Sequence, residues 1–245
     1  MKLTVLNSGS HANGYVLHNS KTALVIECGC PLTQVYRTIG FSTMKIAAAL
    51  ITHEHGDHSR YAEQYLNASI ACYCTKGTAE GIPLKGQRKF TTCEMMKERV
   101  VGEWFIRPFP TQHDCNEPCG FLIYHRETGW ILFATDTYYL RYRFPGLSQI
   151  MIECNYDAGI LSDNVSNGTV KPFVRERILA SHMSLENCIN TLQANSLKKV
   201  TNIVLLHLSG DNSDAEQFRE TVTSATAKRV FIANKGLTID FNKDF

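Results

Sequence analysis

Ile51-Thr52-His53-Glu54-His55-Gly56-Asp57-His58 brings three imidazoles and the Asp57 carboxylate within six residues. The apolar run Ile46-Ala47-Ala48-Ala49-Leu50-Ile51 directly before it reads as a buried strand that delivers a loop. In extended backbone His53 and His55 point the same way. Asp57 and His58 then face the other side of a turn at Gly56, where a side chain would crowd bound ions. Such a loop suits metal, and two metal sites could share the turn. The plain alternative is a polar surface turn that collected histidines by chance. The two readings separate downstream, because a dinuclear site needs at least another histidine and a bridging carboxylate from the rest of the chain.

Trp104 to Pro110 reads as a strand ending at Thr111-Gln112-His113-Asp114, which makes His113 the leading candidate for a further ligand. Gly120 to His125 and Trp130 to Ala134 form a hairpin-like pair across Glu127-Thr128-Gly129. Asp136 follows the second of these runs, and its two oxygens can bridge two cations. Gln149 to Ile152 returns to strand and delivers Glu153, Asn155 and Asp157. Gly159 to Thr169 reads as polar loop, and Lys171 to Arg177 opens a basic helix. His182-Met183-Ser184 precedes a helix from Leu185 to Asn195, with Ser184 as its N-cap. The strand Asn202 to Leu206 runs into His207. Six of the nine histidines therefore fall at strand ends or capping loops, where the side chains of a layered α/β structure converge. Histidine with carboxylate suits zinc, with manganese or iron left open by ligand type alone.

The remaining segments complete a layered α/β pattern. Leu3 to Leu6, Tyr15 to Leu17 and Ala23 to Ile26 read as an antiparallel meander, and Pro31 starts a helix to about Ile39. A helix over Arg60 to Leu66, a strand over Ala68 to Cys74 and a helix after Thr75 follow the metal loop. Gly81 to Arg99 carries basic residues without a clear period. Asp211 to Thr226 is the last long helix, and Arg229 to Ala233 and Leu237 to Phe241 are closing strands. Two sheets with helices outside is the economical arrangement. At 245 residues and 44% hydrophobic content, one domain over 1–245 is expected. A net charge of +2 gives no global mandate for nucleic acid, so such a partner must be held locally. Arg141 and Arg143 alternate with Tyr142 in one candidate patch, which reads equally as an ordinary amphipathic connection. The apolar start Met1 to Leu6 is too short for a signal peptide, and no run reaches a spanning length. A cytoplasmic protein with no membrane partner is therefore expected. Nine cysteines without regular spacing fit reduced thiols. A structural zinc site on Cys28/Cys30, Cys72/Cys74 or Cys115/Cys119 lacks the paired knuckle spacing.

The pattern His-x-His-x-Asp-His resembles the signature of the metallo-β-lactamase superfamily, and His113, Asp136 and His207 follow in that superfamily's order of ligand motifs. The resemblance implies an αββα four-layer sandwich of two mixed β-sheets flanked by helices. It also implies two divalent metal ions, Zn2+ or alternatively Mn2+. One would take His53, His55 and His113, the other Asp57, His58 and His207, with Asp136 bridging. Two cations roughly 3.5–4 Å apart can lower the pKa of a shared water towards about 7, so hydrolysis is the expected reaction class. His55 stands where the iron-binding oxidoreductase branch resembles His-x-Glu-x-Asp, which argues against that branch.

Ser181-His182-Met183-Ser184, followed 25 residues later by Leu206-His207-Leu208-Ser209, is similar to the paired histidine motifs of the phosphodiesterase branch that includes tRNase Z. By that likeness His182 is a catalytic proton donor and Glu153 orients it. The physical case agrees, since expelling a sugar alkoxide needs a proton that a carboxylate-held imidazole can supply. Within the branch, the chain resembles the YycJ (WalJ) exonuclease family. The likeness lies in Leu6-Asn7-Ser8-Gly9-Ser10 with Asn13, Glu153-Cys154-Asn155-Tyr156-Asp157, Arg175-Glu176-Arg177-Ile178-Leu179 and His207-Leu208-Ser209. It departs at Glu27-Cys28-Gly29, where that family has Asp-Ala-Gly, and over 158–169; the long arm with which tRNase Z grips tRNA has no counterpart. The implied activity is metal-dependent hydrolysis of nucleic acid, as a DNA exonuclease. Asp57, His182 and Glu153 would serve catalysis, and Ser8, Asn13, Arg141, Arg143 and Asn155 would contact substrate. The rival readings are an RNA-processing nuclease, a hydrolase of lactones, thioesters or cyclic phosphodiesters, and a binding protein that keeps metal for structure.

Overall fold

Short runs of branched and aromatic residues pair into two sheets in the computed structural model, which describes residues 1–244. Among the described residues the first sheet holds β1 (Lys2–Asn7), β2 (Gly14–His18), β3 (Ala23–Ile26), β4 (Ile46–Leu50), β5 (Cys72–Cys74), β6 (Thr91–Thr92) and β14 (Thr238–Asp240). The second holds β7 (Arg99–Val101), β8 (Trp104–Pro110), β9 (Cys119–His125), β10 (Gly129–Ala134), β11 (Leu147–Glu153), β12 (Asn202–Leu206) and β13 (Arg229–Ile232). Their orders are 14-1-2-3-4-5-6 and 13-12-11-10-9-8-7. Each sheet is mixed. The meander β1 to β3 is antiparallel and continues into parallel β4, β5 and β6; the antiparallel strands β7 to β10 continue into parallel β11, β12 and β13.

Both sheets are covered on two faces, so their central strands are apolar throughout and successive residues feed different cores. Along β3, Leu24 and Ile26 join the cluster between the sheets, whereas Ala23 and Val25 join the outer one. Along β10, Ile131 and Phe133 point inward while Leu132 and Ala134 point outward. The outer face of the first sheet carries α1 (Leu32–Thr38) and α3 (Ala62–Asn67); that of the second carries α7 (Leu185–Gln193) and α8 (Ala215–Thr226). The four expected layers are therefore present. No helix among the described residues is long and apolar enough to cross a membrane.

Four expectations need correction. The segment after His55 is not a simple turn, because α2 (Gly56–Ser59) starts there and the Ser59 hydroxyl donates to the His55 and Glu54 carbonyls. Ala68 to Cys74 is not all strand. Ser69 turns in left-handed backbone (φ 64°), and only β5 pairs. The last helix begins at Ala215 rather than Asp211, since Asp214 is the residue that caps it. Most consequentially, the polar loop expected over 159–169 is largely α5 (Ala158–Ser166). The Asp157 carboxylate accepts from the Gly159 and Ile160 amides and starts this helix. Leu161 then packs with Tyr156 and Val170 and with Val174 and Ile178 of α6 (Pro172–Ser181), a small cluster apart from the main cores.

Phe133 is fully buried between the sheets, with its ring edge-on to Tyr15 at 5.4 Å. Phe133→Ala should cost about 3–5 kcal/mol through lost burial and the cavity left behind. A denaturant titration would show this as a lower midpoint with an unchanged slope.

Candidate metal centre

In the first sheet β3 runs parallel to β4; in the second β10, β11 and β12 run parallel to one another, and β8 shares their direction across the intervening antiparallel β9. Their carboxyl ends gather functional side chains at one edge of the sandwich, the general ligand-binding edge of such sheets. Three of these ends finish in left-handed backbone on residues other than glycine: Glu27 (φ 68°), Asp136 (φ 47°) and His207 (φ 53°). A backbone of this kind costs of order 1–3 kcal/mol per residue, and it persists where surrounding contacts over-determine it.

Donor atoms of His53, His55 and His113 lie within 4.8 Å of one another, and so do those of Asp57, His58 and His207. Asp136 lies between the two groups. Its Oδ2 is 3.1 Å from His58 Nε2, and its Oδ1 is 3.7 Å from His207 Nε2 and 3.9 Å from His113 Nε2. Imidazole nitrogens also face each other directly, with His55 Nδ1 3.1 Å from His113 Nε2. Among the described residues the buried His53 Nε2 and His207 Nε2 find no hydrogen-bond partner. Orphaned nitrogens converging on ionised carboxylates would be costly in an empty core. They fit a pair of divalent cations, and the donor set of imidazole and carboxylate is the one such ions take.

The rear atoms of these side chains are held in place. The His53 Nδ1–H donates to Thr52 Oγ1 at 2.9 Å, and the Thr52 hydroxyl donates to Glu27 Oε1 at 2.6 Å. The same carboxylate oxygen lies 3.4 Å from His58 Nδ1. Glu27 thus fixes two rings and leaves both Nε2 atoms facing the centre. His113 Nδ1 donates to the Ser181 carbonyl at 3.0 Å. Burial works against charge on His58, but Asp136 and Glu27 outweigh it and hold its pKa well above the ordinary value. Burial likewise opposes ionisation of Asp136, yet His207 and His58 keep it well below the carboxylate range. A cation entering here must therefore displace a proton, so uptake depends on pH.

Neither Glu27 nor Thr52 was singled out from the sequence as a site residue. The available signal was an acidic residue directly after a fully apolar strand that neighbours the metal-loop strand. Gly29 completes this corner: a Cβ there would lie 1.7 Å from the Asp57 carbonyl and 2.7 Å from the Asn13 backbone. The departure at Glu27-Cys28-Gly29 is thus a longer carboxylate in a corner that still requires glycine.

His182 and Glu153 meet beside the cluster. The His182 Nδ1–H donates to Glu153 Oε1 at 2.7 Å, and Glu153 Oε2 accepts from the Thr137 amide at 2.8 Å and the Met183 amide at 3.3 Å. Burial disfavours the His182 cation, but Glu153 dominates and pushes its pKa up to about 9. A cleft of about 420 Å³ opens over His55, Asp57, His113, Asp136, His182 and His207. The residues expected to contact substrate lie elsewhere. Asn13 is buried and its Nδ2 donates to Asp57 Oδ2 at 3.1 Å; the Ser8 hydroxyl accepts from the His207 amide at 2.9 Å; Asn155 Nδ2 donates to the His207 carbonyl at 2.7 Å. These three brace the centre from behind. Arg141 and Arg143 are exposed on the connection after β10 and do not line the cleft, because Tyr142 and Phe144 turn inward against Phe109. The cation at the cleft is Arg177 of α6.

Glu27→Gln keeps the shape but removes the charge behind His53 and His58. It should weaken metal affinity about ten- to hundredfold, measured by competition with a chromophoric chelator.

Comparison with known proteins agrees with this architecture. The exodeoxyribonuclease WalJ of Streptococcus pneumoniae is 27% identical over 256 residues, spanning 98% of this chain and 92% of its own. The metallo-β-lactamase fold protein YhfI of Bacillus subtilis superposes with a TM-score of 0.70 at 16% identity, covering 98% of this chain and 99% of that one. Zn2+-bound PqqB of Methylobacterium extorquens superposes with a TM-score of 0.72 at 13% identity, over 98% and 100%. The metallo-beta-lactamase superfamily profile matches residues 8–142, more than half of the sequence, and with the two-sheet fold and the His/Asp cluster this establishes that the chain belongs to that superfamily.

Proposed function

We propose that this hydrolase cleaves phosphodiester bonds in nucleic acid, as a DNA exonuclease. The observation that carries the reading is the His182–Glu153 pair, 2.7 Å apart at the rim of the histidine and aspartate cluster. A thioester releases a thiolate that leaves without a proton near neutral pH, whereas a phosphodiester must expel a sugar alkoxide that needs one. The similarity to WalJ, an exodeoxyribonuclease, supports DNA as substrate, and the Zn2+ held by PqqB supports zinc, with manganese as the alternative.

His53, His55 and His113 would hold one cation, Asp57, His58 and His207 the other, and Asp136 would bridge them. When bound, such a pair supplies Lewis-acid activation of a water and neutralises charge on the phosphate. The protein's own groups do the rest. Glu153 keeps His182 protonated at neutral pH and fixes its ring, because Nδ1 is tied to the carboxylate and Nε2 is left for the leaving oxygen. Two backbone amides, those of Thr137 and Met183, hold Glu153 in turn, so the donor does not swing. Asn13, through Asp57, and Glu27, through His58, keep the cluster in register with that donor.

The test is a side-by-side assay of labelled duplex DNA, single-stranded DNA and a tRNA precursor with zinc or manganese, using Asp136→Ala as the blank. Release of mononucleotides from DNA is expected. Preferential cleavage of the tRNA precursor would move the reading to RNA processing, and turnover of lactones alone would end it. His182→Ala should lower kcat by about 100- to 10,000-fold on DNA. Glu153→Gln should shift the alkaline limb of the pH profile to lower pH, because the carboxylate that raises the His182 pKa is gone.

A further inference from the structure

One wall of the cleft is α6, which supplies Val174, Arg177 and Ile178 to its lining. This helix is pinned to α5 through the small cluster that includes Val174, Ile178 and Leu179. One turn before Arg177, on the same side of the helix, stands Phe173. Its ring is 70% exposed, and the Lys171 ammonium sits 6.0 Å from its centroid. The segment from Lys171 to Arg177 carries Lys171, Arg175 and Arg177 against one acid, Glu176, which pairs with Arg175 at 2.6 Å. Among the described residues Arg177 pairs with Asp114 alone, at 3.2 Å, and both members are exposed. An exposed pair of this kind is weak and exchanges readily for another anion.

We infer that α6 is a binding platform for an unpaired nucleic-acid strand: Phe173 stacks a base, and Arg177, released from Asp114, takes a backbone phosphate next to the cleft. The inference rests on the phosphodiesterase reading above and deepens it by naming the form of the substrate. An open aromatic face flanked by cations is the arrangement that binds single strands with little sequence preference, since every base has a π face and every linkage a charge. A paired base cannot reach such a ring, so duplex DNA must fray before it engages. The position of α6 on the cleft wall makes the platform continuous with the reaction centre, and the positive balance of the helix suits a polyanion.

The test measures fluorescence anisotropy of a short labelled single-stranded oligodeoxynucleotide and of its blunt duplex, with the full zinc-loaded chain carrying His182→Ala in every sample so that turnover does not interfere. Phe173→Ala should weaken single-strand binding roughly tenfold without changing its salt dependence, and Phe173→Trp should restore it. Arg177→Ala should reduce the slope of log affinity against log salt by about 0.7, the value for one phosphate contact on a single strand, and Arg177→Lys should recover the slope. Arg219→Ala, on α8, serves as the control for loss of a surface charge. Wild-type binding by the Phe173 and Arg177 variants would overturn the inference, as would equal losses on duplex and single strand. An acidic peptide that bound with the same dependence on Phe173 would overturn it too, by assigning the face to a protein partner. If DNA is cleaved but these variants bind normally, the platform fails and the nuclease reading stands. If the strand binds as described but is cleaved under no metal, the platform stands and the nuclease reading fails.

Discussion

A set of overlapping groups of imidazole nitrogens and carboxylate oxygens, the atoms of each group within 4.8 Å of one another at the seam of two sheets, is the constraint on which the rest of this molecule depends. Uncompensated, such a cluster would be expelled to water or neutralised, since buried polar atoms without partners are costly. It persists because most of its groups are gripped from behind: the His53 and His58 rings by Glu27 and Thr52, His113 by the Ser181 carbonyl, His207 by Asn155, and Asp57 by Asn13. The scaffold's left-handed corners at Glu27, Asp136 and His207 are the backbone expression of the same demand.

The two halves of the centre arise from different sheets. The His53 to His58 segment follows β4 of the first sheet, whereas His113, Asp136 and His207 follow β8, β10 and β12 of the second. Packing between the sheets therefore sets the geometry of the cluster. Phe133, Tyr15 and their neighbours hold the sheets at fixed separation, and the Trp104 indole donates across to the Thr22 hydroxyl at 3.0 Å. Binding free energy from cations at the seam would add to that of the core, because each would tie together residues carried by both sheets.

The fold was legible where local pattern and tertiary role coincide. Ile203–Leu206 is apolar and buried throughout, as a strand inside a doubly covered sheet must be, whereas Trp104–Arg107 alternates buried Trp104 and Ile106 with exposed Phe105 and half-buried Arg107; both patterns read as strand. The convergence of His113, Asp136 and His207 was legible because each comes within three residues of the end of a strand run, whereas His182 stood out between a basic helix and the Ser184 cap. What escaped was decided by long-range geometry. Asn13, Ser8 and Asn155 were expected as substrate contacts from the family resemblance, but the chain folds each one behind the centre, a distinction that needs the third dimension. α5 was hidden because its apolar residues are few among serine, asparagine and aspartate, and only its pairing with α6 gives them something to cover. Arg177 was visible as part of a basic helix, but its place on the cleft depends on how that helix pair leans over the strand ends.

The pairing of β14 with β1 bears on the order of assembly. Thr238–Asp240 lies alongside Lys2–Thr4, so the first strand of the chain acquires its outer neighbour from nearly the last. During synthesis β1 must therefore wait with its outer backbone edge unprotected until Thr238–Asp240 has been made. Open edges of that kind recruit strands from other molecules, so the nascent chain is exposed to aggregation throughout that interval.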